Sequence, residues 1–263
     1  MKKRIISAIV ALAIVTPLII LGGNYFAFLA GALSVLAYKE LLDLKENAEE
    51  IPNIVKGLGL VSLVTLIFSE FDSQFALFGI SYRILAISLL ALLIPTLFYK
   101  DNKYTTREAF YIVGIVLFLS IVFNNFILIR NESVHKLVYL ILICSCTDAF
   151  AMFTGMLIGK HKITPNISPK KTVEGCIGGS IIGSCIPIIY YVYFISGFTW
   201  KLLLITVLLS VIDQFGDLFF SKIKRENKIK DFSNIMPGHG GILDRLDSLC
   251  FVVITYIIFI SYI

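Results

Sequence analysis

Residues 108–129 read EAFYIVGIVLFLSIVFNNFILI, a run whose only charge is Glu108 at its edge. An α-helix needs about 20 consecutive apolar residues to cross the ~30 Å hydrocarbon core of a bilayer. Inside that core every backbone N–H and C=O must be satisfied within the segment, so a run of this kind predicts a spanning helix. Working outward, similar runs cover 5–22, 24–38, 54–69, 75–99, 137–158, 176–197, 199–220 and 246–263. The expectation is an all-α, polytopic integral membrane protein with about nine transmembrane helices. Composition agrees: 57% of the 263 residues are apolar and 16% charged, against roughly 25% charged in a soluble domain, and the mean hydropathy is +0.88. These values exclude a secreted disulfide scaffold, a nucleic-acid-binding domain and a cytosolic enzyme. The first two runs are separated only by Gly22-Gly23-Asn24, which predicts a helical hairpin. Pro17, Pro95 and Pro187 lie inside runs and predict kinks.

Lys and Arg set the orientation. With the N-terminus cytoplasmic, the inner segments hold 19 of them, and the outer side only Arg83, Arg130, Lys136 and Lys201. Basic residues gather on the cytoplasmic side of a membrane protein, so this split fixes an inside N-terminus and an outside C-terminus. The net charge of +5 is accounted for the same way, with no nucleic-acid partner. The opening MKKR and its apolar run lead straight into a second run and read as an uncleaved anchor rather than a signal peptide. Residues 39–52 have apolar positions at helical spacing and read as an interfacial or cytoplasmic helix. Cys144, Cys146, Cys176, Cys185 and Cys250 lack CxxC spacing and read as small buried hydrophobes.

The chemistry gathers in the C-terminal half, giving two regions: 1–140 as N-terminal spans and 141–263 as the catalytic part. Only Asp148, Asp213 and Asp217 fall well inside spans, with Asp244 and Asp247 at the mouth of the last one. An acid at mid-bilayer costs about 2.5–3.5 kcal/mol on insertion scales, so such residues carry a partner or a function. Asp213 and Asp217 share a helix face. Asp217 sits roughly 5 Å from the inner end of its span, the depth of a lipid phosphate. Two inner loops hold the remaining polar groups. The first, 159–175, contains Ser168, Lys170, Lys171, Thr172 and Glu174 between Pro169 and Gly175, just before a new helix; cations beside a helix N-terminus suit a phosphate. The second, 221–245, interleaves bases and acids around Pro237-Gly-His-Gly-Gly241. Carboxylates hold a metal and Lys and Arg hold phosphoryl oxygens, so the pattern suits a phosphate–metal site.

Ser221-x-Ile-Lys224-Arg225, then Lys230-Asp231, Pro237-Gly-His239-Gly240-Gly241 and Asp244-Arg245-x-Asp247 resemble the signature of the phosphatidate cytidylyltransferase (CDP-diacylglycerol synthase) family. Ser168-Pro-Lys-Lys-Thr172, Glu174-Gly175 and Asp148-Ala-Phe150 resemble it too, with Val173 where that family carries an aromatic residue. The likeness is sharp over 148–248; the first 140 residues match only as apolar spans. It implies the reaction CTP + phosphatidate → CDP-diacylglycerol + pyrophosphate, in phospholipid biosynthesis. It further implies Mg²⁺ on Asp217 and Asp244, with Asp148 and Asp213 as further ligands. Lys224, Arg225, Lys230 and Arg245 are then expected on phosphate oxygens, with Lys170 and Lys171 closing over them. Asp231 and His239 join the catalytic set, His239 as loop donor or general base. Ser168, Thr172, Glu174, Ser221, Gly240, Gly241 and Asp247 are expected to line the substrates. Asp148, Asp213, Asp231 and Asp247 either touch metal or orient cations. The implied partners are CTP, inner-leaflet phosphatidate and a second copy of the chain, at the plasma (inner) membrane with the site facing the cytoplasm. Another CTP-dependent membrane lipid enzyme (a polyprenol kinase or an archaeal-type lipid cytidylyltransferase) and an ion-coupled secondary transporter are the alternatives.

Cysteines introduced at Lys103, Lys162 and Lys228 should react with impermeant maleimide only from the cytosolic side, and those at Asp72 and Ser133 only from outside. Labelling of positions 162 and 228 from opposite faces would break the shared-site reading.

Overall fold

A computed structural model of the chain describes residues 2–44, 51–69, 76–77, 80–99, 103–236, 238 and 240–259. Ten helices follow in order: α1 Lys2–Leu21, α2 Gly23–Asp43, α3 Asn53–Ile67, α4 Tyr82–Leu93, α5 Thr106–Glu132, α6 Val134–Ile158, α7 Val173–Gly183, α8 Cys185–Phe194, α9 Trp200–Glu226 and α10 Leu243–Phe259. Among the described residues, five segments are long and apolar enough to cross a membrane: α2, α5, α6, α7 with α8, and α9. The coarse architecture is therefore an all-α membrane protein. The shorter apolar helices are Ile9–Leu21, Asn53–Ile67 and Tyr82–Leu97, and α10 has 17 residues.

Local chemistry explains the helix ends. Gly22 and Gly23 take φ of 67° and 51°, left-handed values that only glycine adopts at low cost, and they make the expected turn between α1 and α2. Pro95 ends α4 in a single 3₁₀ turn. The run at 176–197 starts earlier than expected, at Val173, and breaks at Ser184. The Pro187 ring lacks an N–H and would strike the carbonyl of Gly183, so the α-helix cannot continue unbroken. The fourth run was expected to begin at 75; instead Ala76–Leu77 and Ile80–Ser81 (β1 and β2) pair antiparallel, and the helix starts at Tyr82. The separate helix expected over 39–52 is not formed at Lys39–Asp43, which continue α2; residues 45–50 lie outside the described residues. The first inner loop also departs from expectation. Lys162–Thr164 and Ser168–Thr172 (β3 and β4) form an antiparallel hairpin.

The chain divides into two compact units. One comprises Met1–Leu128 with Phe232–Leu243, the other Ile129–Asp231 with Asp244–Ile263. In the first, Leu63, Leu66, Ile112, Leu119 and Phe123 are buried. Polar side chains there bridge helices by donating to backbone carbonyls: Asn124 Nδ2 to Ile67 O at 2.8 Å, and Tyr111 OH to Leu41 O at 2.7 Å. In the second, Tyr139, Leu140, Ile143, Leu209, Val252 and Tyr256 form the core. The Tyr139 and Thr206 hydroxyls join at 2.7 Å and those of Thr147 and Ser210 at 2.6 Å, linking α6 to α9.

Helices α6 and α7 meet backbone to backbone. Gly175, Gly179 and Gly183 recur every four residues on α7 and face Thr147, Ala151 and Gly155, also four apart, on α6. A Cβ at Gly179 would lie 2.9 Å from Thr147 O and 3.0 Å from Ala151 Cα, and one at Gly183 would lie 2.9 Å from Thr147 Cα. Small residues at this spacing allow the close packing on which helix association in lipid depends.

Gly179→Leu should therefore push α6 and α7 apart, with an overpacking cost of about 1–3 kcal/mol or more, read as a lower melting temperature in detergent. Gly197→Ala, at a position with no atom within 4 Å of the added Cβ, should leave it unchanged.

Candidate active site

The β3–β4 hairpin delivers the first set of polar groups. Glu174, in the first turn of α7, accepts from Lys160 N at 3.0 Å, His161 N at 3.2 Å and His161 Nδ1 at 2.5 Å. Thr172 Oγ1 accepts from Gly175 N at 3.2 Å and caps α7. Both are expected to line substrate; the structure places them at the base of the hairpin and the start of the helix. Ser168 is half-buried at the other end of β4, and Lys170 is exposed. Lys171 reaches across to α9, where its Nζ lies 2.5 Å from Asp217 Oδ2. Burial alone would lower the Lys171 ammonium, but the charge and contact of Asp217 and the charge of Asp148 outweigh it. Its pKa lies above the usual lysine range.

Helix α9 sets out the second group along one face: Asp213, Asp217, Ser221 and Lys224, at spacings of three or four. Ser221 Oγ donates to Asp217 Oδ1 at 3.4 Å. Lys224 is 9% exposed, and its Nζ meets Asp244 Oδ1, on the first turn of α10, at 2.8 Å. Helix α10 can approach α9 because residue 216 is glycine: a Cβ there would lie 3.0 Å from Ser248 Cα and 3.1 Å from Phe251 Cβ. Asp213 is wholly buried, beside Cys144 and Ser248. Asp148, on α6, has an exposed face and lies within electrostatic reach of Lys171 and Asp217. Asp247 lies within such reach of Asp217, Lys224 and Asp148.

Of the residues singled out in the sequence, the second unit thus gathers Asp148, Lys171, Asp213, Asp217, Ser221, Lys224, Asp244 and Asp247. Arg225 lies at the end of α9: its Nε donates to Ile167 O at 3.4 Å and its Nη1 to Ile229 O at 3.2 Å, which holds the hairpin tip to that helix. Lys230, Asp231 and Arg245 are exposed. Gly240 and Gly241 belong to the first unit; Gly240, with φ of 85°, exchanges two backbone hydrogen bonds with Met236 at 2.9 and 3.1 Å. His239 lies outside the described residues. Among the described residues no group of three His, Cys, Asp or Glu side chains is already drawn together as a metal-ligand set. Asp217 and Asp244, expected on metal, each hold a lysine.

Three positions that shape this part of the chain were not apparent in the sequence. Gly216 and Ser248 set the α9–α10 approach, and a lone glycine and serine in apolar runs give little signal. Glu40 is 2% exposed on α2 and accepts from Ser233 Oγ at 2.6 Å, Ile242 N at 2.8 Å and Leu243 N at 2.9 Å. Its signal was an acid amid the buried positions Ala37, Tyr38, Leu41 and Leu42.

Apolar helices carrying a lysine–carboxylate cluster at their ends fit an integral membrane enzyme for anionic substrates, and comparison with known proteins gives the class: a family model described as the cytidylyltransferase family matches residues 2–263, and the chain belongs to that family. It is similar to proteins named phosphatidate cytidylyltransferase. That of Staphylococcus haemolyticus is 38% identical over 261 residues, covering 96% of each chain. That of Bacillus subtilis is 37% identical over 268 residues, covering 96% of this chain and 95% of the other. That of Staphylococcus aureus strain COL is 34% identical over 260 residues, covering 96% of each.

Asp217→Asn keeps the shape of the side chain and removes the charge that Lys171 meets. Cytidylyl transfer should fall at least ~100-fold while the protein stays folded in detergent. A folded Asp217→Asn enzyme with wild-type turnover would take Asp217 out of the site.

Proposed function

We propose that the chain transfers the cytidylyl group of CTP to phosphatidate, giving CDP-diacylglycerol and pyrophosphate for phospholipid biosynthesis. The observation that carries this reading is the pair of lysine–carboxylate contacts, Lys171–Asp217 and Lys224–Asp244, set among Asp148, Asp213 and Asp247 at the ends of membrane-type helices. The names and coverage of the relatives support the same chemistry.

The lipid phosphate oxygen attacks the α-phosphorus of CTP, and the bond to the bridging oxygen of pyrophosphate breaks. A phosphate monoester has a second pKa near 6 and is mostly dianionic at neutral pH, so no side chain need take a proton from it. What the protein supplies is position and charge. Lys171 and Lys224, now holding carboxylates, are the cations set to take phosphate oxygens, with Lys170, Lys230 and Arg245 on the exposed side. Arg225 keeps the hairpin, and so Lys171, in place.

A Mg²⁺ ion suits the donor set. Carboxylate oxygens are its preferred protein ligands, and Asp213 presents a wholly buried carboxylate within electrostatic reach of Asp148 and Lys171. Asp217 and Asp244 would hold it, with Asp148 and Asp213 beside them. When bound it neutralises phosphoryl charge. A lipid substrate is also supported by an apolar cavity of about 390 Å³ along α7 and α9, lined by Cys176, Ile177, Ile181, Val211, Phe215 and Leu218. Cys176 lies within electrostatic reach of Lys171 and Asp217. The 19-to-4 split of basic residues supports nine spans with the N-terminus and the site on the cytoplasmic face of the plasma membrane. A homodimer completes the reading.

Purified protein given CTP, phosphatidate and Mg²⁺ should form CDP-diacylglycerol and pyrophosphate; phosphorylation of a polyprenol in its place, or no CTP consumption at all, would overturn the proposal. Within it, Arg245→Lys preserves the charge that sets topology and loses the planar guanidinium fork. Its rate should fall roughly 30- to 1000-fold, while Lys228→Ala should be nearly silent.

A further inference from the structure

Glu40 lies 193 positions before Ser233, with which it hydrogen-bonds, on a helix far from the charged loops in sequence. Its Oε1 accepts from Ser233 Oγ at 2.6 Å and from Ile242 N at 2.8 Å, and its Oε2 accepts from Leu243 N at 2.9 Å. Ser233 opens the glycine-rich segment and Leu243 closes it, so one carboxylate holds both ends of a loop of Ω type. Between them Gly238 has φ of 82°, and Met236 and Gly240 exchange backbone hydrogen bonds across the loop. Gly241 packs directly on the carboxylate: a Cβ there would lie 2.7 Å from Glu40 Cδ and 2.8 Å from Ser233 Oγ. Leu243 is also the first residue of α10, whose leading N–H groups have no partner within the helix. A negative charge at that end is favourable.

A site that required only stability could be filled by an apolar side chain with no charge to desolvate. What a carboxylate adds here is direction, since it fixes three donors from two separate points of the loop. We infer that Glu40 is a positioning residue for the reaction: it ties Ser233 to the Ile242–Leu243 backbone and so fixes the two ends of the glycine-rich segment 233–243. The inference rests on the cytidylyl-transfer reading above for the use to which the loop is put; the buckle itself does not.

The test is Glu40→Gln in the full-length protein, with turnover, melting temperature and amide hydrogen exchange measured together. Glutamine keeps the shape but turns an NH₂ group toward one of the donors. The expected result is a kcat lower by about 10- to 100-fold, the scale of a small misplacement of reacting groups, with a near-wild-type melting temperature. Exchange should rise at 233–243 and stay unchanged in α5 and α9. Wild-type kcat in Glu40→Gln, or faster exchange throughout α5 and α9 in step with the loss of rate, would overturn the inference, the second because it marks a merely structural role. If Glu40→Gln does not fold, Ser233→Ala, which frees only the start of the loop, should lower kcat severalfold with exchange unchanged in α5 and α9; an unchanged kcat there overturns it equally. Wild-type protein that makes no CDP-diacylglycerol would remove the proposed function instead, and exchange at 233–243 would then decide the buckle alone.

Discussion

The backbone contact between α6 and α7 is the constraint on which the charged cluster depends. In lipid no hydrophobic force drives two helices together, because the surrounding tails are as apolar as the side chains. Association comes from close packing, and Gly175, Gly179 and Gly183 against Thr147, Ala151 and Gly155 supply it. Thr147 precedes Asp148, and Gly175 follows the strand that carries Lys171. The same register that lets the helices touch therefore brings a span acid and a loop lysine to one place. Gly216 repeats the device between α9 and α10 and brings Asp244 to Lys224.

Several polar residues at the ends of these helices are held in place by hydrogen bonds. Thr172 caps α7, Glu174 gathers the N–H groups of Lys160 and His161, and Arg225 ties the hairpin tip to α9. These contacts make the hairpin a shaped support. A flexible basic loop would leave Lys171 to the solvent; here its stem is enclosed and its ammonium is aimed at Asp217. Side chains that lock the orientation of another group set its alignment before a substrate arrives.

The sequence showed the class of fold plainly, since long apolar runs admit few other structures. It showed the acids and lysines of the cluster as well, because a charge in an apolar run stands out. The roles within the cluster were less legible. Thr172, Glu174 and Arg225 have the chemistry of ligands and also brace the hairpin, through partners that are distant or backbone in nature: Gly175 N, His161 N and Ile167 O. The 162–172 hairpin was hidden because strands so short carry almost no alternating pattern. Glu40 was hidden for the opposite reason. In AYKELLDLK it reads as one more charge on an amphipathic helix, and only the fold shows that it faces the buried side. Pro187 announced the break at Ser184, and the α6–α7 contact could have been read from three glycines four apart.

The charges of the second unit bear on what must enter it. Asp148, Asp213, Asp217, Asp244 and Asp247 stand against Lys171 and Lys224. Carboxylates therefore outnumber the ammonium groups directly paired with them, and both proposed substrates are anions. Such a site repels a triphosphate and a phosphate monoester unless positive charge arrives with them. A divalent cation held among the acids is often the largest local charge in a site and inverts its electrostatics. The lysines in turn offset part of the cost of placing acids at the membrane edge before substrate arrives. A cluster with five carboxylates against two paired ammonium groups is anionic when empty, and a bound divalent cation removes part of that excess, which favours binding of metal and nucleotide together.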